Sequence, residues 1–141
     1  MKRVFSIPGY NAEKAEKYLF ISGIKIVNKK IRKEYWGERI IEAIFELDVK
    51  KEDRPKLERI KDFIPFKSSR SLEKFLQEQF PPGDILVNRE RGCGIVMYIY
   101  HNKRINRIEV SDALKYLTLE RLRERLETVG IILGGVDETG V

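Results

Sequence analysis

The chain has 141 residues, of which 42% are hydrophobic and 35% charged, with a formal net charge of +6. That length suits one domain with a real core, and the charged share exceeds the roughly 25% usual for soluble proteins. The single cysteine, Cys93, excludes an intramolecular disulfide.

The heavy use of Lys, Arg, Glu and Ile predicts a hyperthermophile protein with ion-pair networks on its surface. After Lys2-Arg3 the apolar run Val4-Phe5-Ser6-Ile7 is too short for a signal-peptide core, and no stretch is long enough to span a bilayer. The expectation is a cytoplasmic protein with no membrane partner. The positive charge is uneven: residues 1–50 carry 11 Lys/Arg against 7 Asp/Glu, residues 51–80 carry 8 against 6, and residues 81–141 balance at 9 each. Phosphate-bearing partners for the first 80 residues follow from that excess.

In chain order, Val4–Ile7 reads as a strand closed by Pro8-Gly9, and Asn11 as the cap of a helix from about Ala12 to Ser22, ended by Gly23. Ile24–Trp36 reads as a long strand, Gly37-Glu38 as a turn, and Arg39–Val49 as the returning strand with Ile41, Ala43, Phe45 and Leu47 on one face. Lys51–Phe63 is a second helix with Pro55 in its first turn, stopped by Pro65. Ser71 caps a third, short helix ending near Phe80.

Strands follow at Ile85–Val87, at Gly94–Tyr100, which is apolar enough to be buried on both faces, and around Ile105–Val110. Ser111-Asp112 starts one helix and Thr118 another, along which Leu119, Leu122, Leu126 and Val129 line one side until Gly130. The fold class expected is α+β: one domain over residues 1–133, with an antiparallel sheet of about four to five strands, helices packed mainly on one face and a helical C-terminal part. Residues 134–141 are expected as a mobile tail.

Catalytic chemistry leaves few traces. His101 is the only histidine, no Gly-x-Ser-x-Gly turn exists, and Arg91-Gly92-Cys93-Gly94 precedes a strand where a dinucleotide loop would follow one. No cofactor and no zinc site are expected. One metal-nuclease arrangement is conceivable: Glu46 and Asp48 on one strand face for Mg²⁺, with Lys50 for the phosphate. Such alternation is common on solvated strands, so the chain reads as a binder and not an enzyme.

The chemistry that is present lies in the Ile24–Trp36 strand, where five cations occur between residues 25 and 33 with no acid among them. Strand alternation predicts Lys25, Lys29 and Lys33 on one face with Val27, Ile31 and Tyr35, and Lys30 and Arg32 on the other with Trp36. Lys and Arg neutralise phosphates, and an exposed Tyr or Trp stacks an unpaired base. Lys67 and Arg70, flanking Ser68-Ser69 before a helix, are secondary phosphate candidates.

The expected partner is single-stranded nucleic acid, DNA ahead of RNA, bound with little sequence preference. The leucine side Leu119, Leu122, Leu126 and Val129 is either core or the seam of a homodimer or higher oligomer, the second making the chain an assembly module.

In size, hyperthermophile composition, α+β order and the basic-aromatic strand ahead of a helix-rich C-terminus, the chain resembles the ThermoDBP-related single-stranded-DNA-binding proteins of hyperthermophilic archaea. The resemblance implies an antiparallel sheet flanked by helices, a cleft for unpaired bases and assembly through C-terminal helices.

Overall fold

The computed structural model describes residues 1–133; the segment 134–141, expected as a tail, lies outside the described residues. The fold is α+β, but the expected single sheet of about four to five strands is instead two three-stranded antiparallel sheets. The chain divides into two compact units, Met1–Pro65 and the residues from Phe66 on. Two sheets arise because two separate sets of apolar side chains close on themselves. Among the described residues no helix is long and apolar enough to cross a membrane.

In the first unit, β1 (Lys2–Pro8) leads directly into α1 (Gly9–Ile21), and β2 (Lys25–Lys33) and β3 (Ile40–Asp48) follow, with β3 central in the order β1-β3-β2. Asn11 does not cap the helix. The helix starts three residues earlier than expected, at Gly9, and Asn11 is buried within it. Gly9 is required there, because a Cβ at that position would collide with the backbone carbonyl of Ile40. Ala12, Ala15 and Leu19 of α1 pack on Ala43, Phe45 and Leu47 of β3, so the alternation in β3 selects its buried face.

The expected helix over 51–63 is a 3-10 turn at Lys51–Asp53, a short α2 (Arg54–Leu57) and a second 3-10 segment at Glu58–Phe63. Its place is fixed by α1: the Tyr18 hydroxyl donates to the Lys56 carbonyl at 2.7 Å and Lys56 Nζ to the Ser22 carbonyl at 2.8 Å. With Ile60 and Phe63 buried, tertiary contacts hold a segment too short to be helical alone.

In the second unit, α3 (Ser69–Gln79) precedes the meander β4 (Ile85–Glu90), β5 (Gly94–His101) and β6 (Arg104–Ser111), and α4 (Leu119–Glu127) closes the chain. Ser68, not Ser71, is the N-cap of α3, its hydroxyl accepting from the Ser71 backbone N–H at 3.2 Å. The helix expected from Ser111-Asp112 is only a 3-10 turn at Leu114–Tyr116, because β6 extends through Ser111. Thr118 does cap α4, accepting from the Arg121 N–H at 3.0 Å.

One face of this sheet, with Ile95, Met97, Ile99, Ile108 and Val110, is covered by Leu72 and Leu76 of α3 and by Leu122 and Leu126 of α4. Leu122 and Leu126 are fully buried there, and Leu119 and Val129 pack half-buried against the same core. Leu122 and Leu126 therefore belong to the core of the second unit, and Leu119 and Val129 pack at its margin. The expectation that Gly94–Tyr100 is buried on both faces holds only at its start. Ile95, Val96 and Met97 are buried, whereas Tyr98 is half-buried and Tyr100 exposed.

Candidate nucleic-acid interface

Strand β2 is an edge strand of the first sheet and is exposed along nearly its whole length. Its register on β3 runs Lys25↔Asp48, Ile26↔Leu47, then Asn28↔Glu46, so Val27 is an extra residue, a β-bulge. The bulge inverts the alternation expected from the sequence. Lys25 shares its face with Asn28, Lys30 and Arg32, whereas Lys29 stands opposite Phe45 on the α1 side, where its ammonium meets Glu16 at 3.0 Å. The expected grouping of Lys25 with Lys29 and Lys33 is therefore corrected: the slip at Val27 places Lys25 and Lys29 on opposite faces.

The face away from α1 is mixed in charge. Glu42, Glu46 and Asp48 of β3 run down its centre between Lys2 on β1 and Lys25, Lys30 and Arg32 on β2. Arg32 Nε lies 3.2 Å from Glu42 and Lys2 3.8 Å from Glu46. The Ser6 hydroxyl, donating to Glu42 at 2.6 Å, and then the Arg32 guanidinium hold the Glu42 carboxyl below the usual carboxylate range. Lys25 and Lys30 make no ion pair with any described residue.

The remaining strand cation, Lys33, pairs with Glu38 at 3.0 Å across the hairpin. Exposed pairs of this kind are worth about 0.2–1 kcal/mol each, so an incoming phosphate competes readily for Lys29, Arg32 and Lys33. Glu46 and Asp48, the conceivable Mg²⁺ pair, lie on this same cation-flanked face, and among the described residues no group of three His, Cys, Asp or Glu is arranged to hold a metal ion.

Strand β2 ends at Lys33, three residues earlier than expected, which puts Tyr35 and Trp36 in the β2–β3 turn and off the sheet. They are 87% and 92% exposed, and their rings meet edge to face at 4.6 Å between centroids. Arg39 Nε approaches Glu34 at 3.4 Å, and together with the Lys33–Glu38 pair it ties the base of the turn. The aromatics therefore form a platform at the tip of a braced hairpin, with basic strand β2 leading to it.

Lys67 and Arg70 are exposed and belong to the second unit, beside the α3 N-terminus. The Ser68 hydroxyl there is engaged in its own cap. Ser69 and Arg89 line a cavity of about 250 Å³ in that unit, together with Glu73, so its charge is mixed.

Sequence reasoning missed the aromatics of the second sheet. Tyr98 and Tyr100 alternate within the apolar run of β5 and mark a face that differs from that of Met97 and Ile99. Two tyrosines two residues apart were the available signal. No family model, curated protein or solved structure matches the chain.

Proposed function

We propose that the chain binds single-stranded nucleic acid, without sequence preference, along β2 and at the tip of the β2–β3 hairpin. The observation that carries this reading is the near-complete exposure of Tyr35 and Trp36 beside a strand of five cations. Isolated apolar residues on a surface are ordinary, but a contacting Tyr-Trp pair on a braced turn is a preformed surface for a base. Lys25 and Lys30, without an ion-pair partner among the described residues, neutralise phosphates first, and Lys29, Arg32 and Lys33 follow by exchanging their exposed carboxylate partners. The role assigned is that of a binder. The lone His101 and the lone Cys93 offer no nucleophile–base pair near this hairpin in sequence.

Trp36 is the only tryptophan, so its fluorescence reports the tip directly. Titration with single-stranded oligodeoxynucleotides is expected to quench it, with an apparent affinity that falls as salt rises. A parallel titration with oligoribonucleotides ranks DNA against RNA. Unchanged fluorescence and no salt-sensitive mobility shift with either polymer would refute the assignment.

A further inference from the structure

We propose that the chain forms a two-fold dimer by pairing β4 antiparallel with β4 of a second copy, which joins the two β4–β5–β6 sheets edge to edge. The inference does not depend on the hairpin site.

The phase of the backbone leaves β4 open to such pairing. The Tyr100 N–H donates to the Asp84 carbonyl at 2.9 Å, so Leu86 and Asn88 turn their backbone groups to β5, and Ile85, Val87 and Arg89 turn theirs away. The Arg89 N–H is met by Asn88 Oδ1 at 3.0 Å. The outward groups of Ile85 and Val87 meet no partner among the described residues. A bare strand edge is a template for another strand, and cations, prolines or bulges oppose that pairing. Strand β1 carries Lys2 and Arg3, and β2 carries five cations and the Val27 bulge. Strand β6 has a bulge of its own, and Arg125 of α4 donates to its Glu109 carbonyl at 2.8 Å. The Ile85-Leu86-Val87-Asn88 run of β4 has none of these devices.

The side chains of β4 fit their own copies. A two-fold axis at Leu86 sets Ile85 opposite the partner's Val87 and Val87 opposite the partner's Ile85, so each outward N–H and carbonyl finds its complement. On the open face Leu86, 62% exposed, meets the partner's Leu86, and Asp84 faces the partner's Asn88, an acceptor against an amide. On the helix side Val87 is a wall of the cavity of about 250 Å³, with Leu72, Ile95 and Leu114 as its apolar lining, and the partner's Ile85 stands beside that wall. Moving the axis to Val87 would oppose Asp84 to the partner's Glu90 and Ile85 to the partner's Arg89, so the charges choose the first register. Residues 66–141 carry 12 Lys/Arg against 11 Asp/Glu, and little net repulsion opposes the contact. This self-complementarity selects a second copy over a peptide of unrelated sequence.

Sedimentation of the full chain over a range of concentrations tests the proposal. The expected result is a reversible shift to twice the chain mass of 16.6 kDa as concentration rises. Leu86→Glu sets two carboxylates face to face at the axis. It is expected to raise the dissociation constant of the dimer about tenfold or more, with unchanged circular dichroism. In a Cys93→Ser background, Leu86→Cys is expected to give a disulfide-linked dimer under mild oxidation, because facing residues of a non-hydrogen-bonded pair have Cα atoms about 4.5 Å apart. Asn88→Cys is not expected to link, its two copies lying about 13 Å apart along the paired strands.

A chain that stays monomeric up to about 1 mM overturns the inference and leaves the edge to a partner of another sequence. A dimer that tolerates Leu86→Glu, or in which Asn88→Cys links as readily as Leu86→Cys, places the contact elsewhere and overturns it equally.

Discussion

The two units are the same size of sheet solved in opposite ways. In the first, the central strand β3 carries three carboxylates on its open face, and both edge strands carry lysines. In the second, the central strand β5 carries no ionised side chain between Gly94 and Tyr100, and the charges of Glu90, Arg107 and Glu109 sit on the edges. The first unit holds 16 Lys/Arg against 11 Asp/Glu, whereas residues 66–141 hold 12 against 11. The open face around the charged central strand carries no aromatic, Phe5 and Phe45 lying on the α1 side, and the first unit displays Tyr35 and Trp36 off its end. An uncharged one lets the second unit display Tyr98 and Tyr100 on the sheet itself. Where the ionised groups lie thus decides where an aromatic can meet solvent.

The comparison is broken most directly at the cores. Leu126→Ala is expected to destabilise the second unit by about 2–5 kcal/mol with no change in oligomeric state, read by urea unfolding and sedimentation. A folded variant that merely dissociates would return α4 to the role of a seam. Next come the two glycines that admit close backbone. Gly9→Ala and Gly94→Ala are each expected to cost roughly 3 kcal/mol. The first meets the Ile40 carbonyl, and the second those of Ser111 and Asp112 at a φ of 77°. Hydrogen exchange should show protection lost from β1 and β3 in one and from β5 and β6 in the other, and the reverse pattern would undo the division.

Trp36→Ala sharpens the functional half. Stability is expected to stay within about 0.5 kcal/mol, as for other exposed positions. Affinity for single strands is expected to fall by about 1–3 kcal/mol. A loss of stability with affinity intact would make the tip structural.

The smallest effect is electrostatic. Arg107 and, after it, Tyr98 hold the Glu90 carboxyl below the usual carboxylate range. A lowered folded-state pKa contributes stability that is complete above the unfolded value of about 4.3 and is lost as pH falls through the folded value. Glu90→Gln should therefore lower the urea midpoint at pH 7 and converge with the parent chain at pH 2–3. Equal differences at both pH values would remove the ionised carboxylate from the account.

Much of this was legible in the sequence. Apolar alternation placed β3 and its buried face, Gly23 and Gly130 marked helix ends, and Thr118 capped its helix. What alternation cannot carry is a slip. Val27 looks like any β-branched strand residue, yet its extra position exchanges the faces of every side chain before it. Nor could the sequence count sheets, because Ile44 and Val96 are equally apolar whether two sets of strands share a core or form their own. Residue types mark the candidate site, and its geometry departs from the alternation in two respects: the bulge separates Lys25 from Lys29, and Tyr35 and Trp36 lie beyond the strand.

The exposed edge of β2 has a further consequence for life at high concentration. An edge strand presents unpaired backbone groups to any neighbour, and charged side chains along it oppose such pairing. With Lys29 directed to one face and Lys25, Lys30 and Arg32 to the other, a second copy approaching edge to edge would bring ammonium or guanidinium groups together on both sides of the joint. The cations of β2 thus guard the strand against zippering into fibrils while remaining open to solvent.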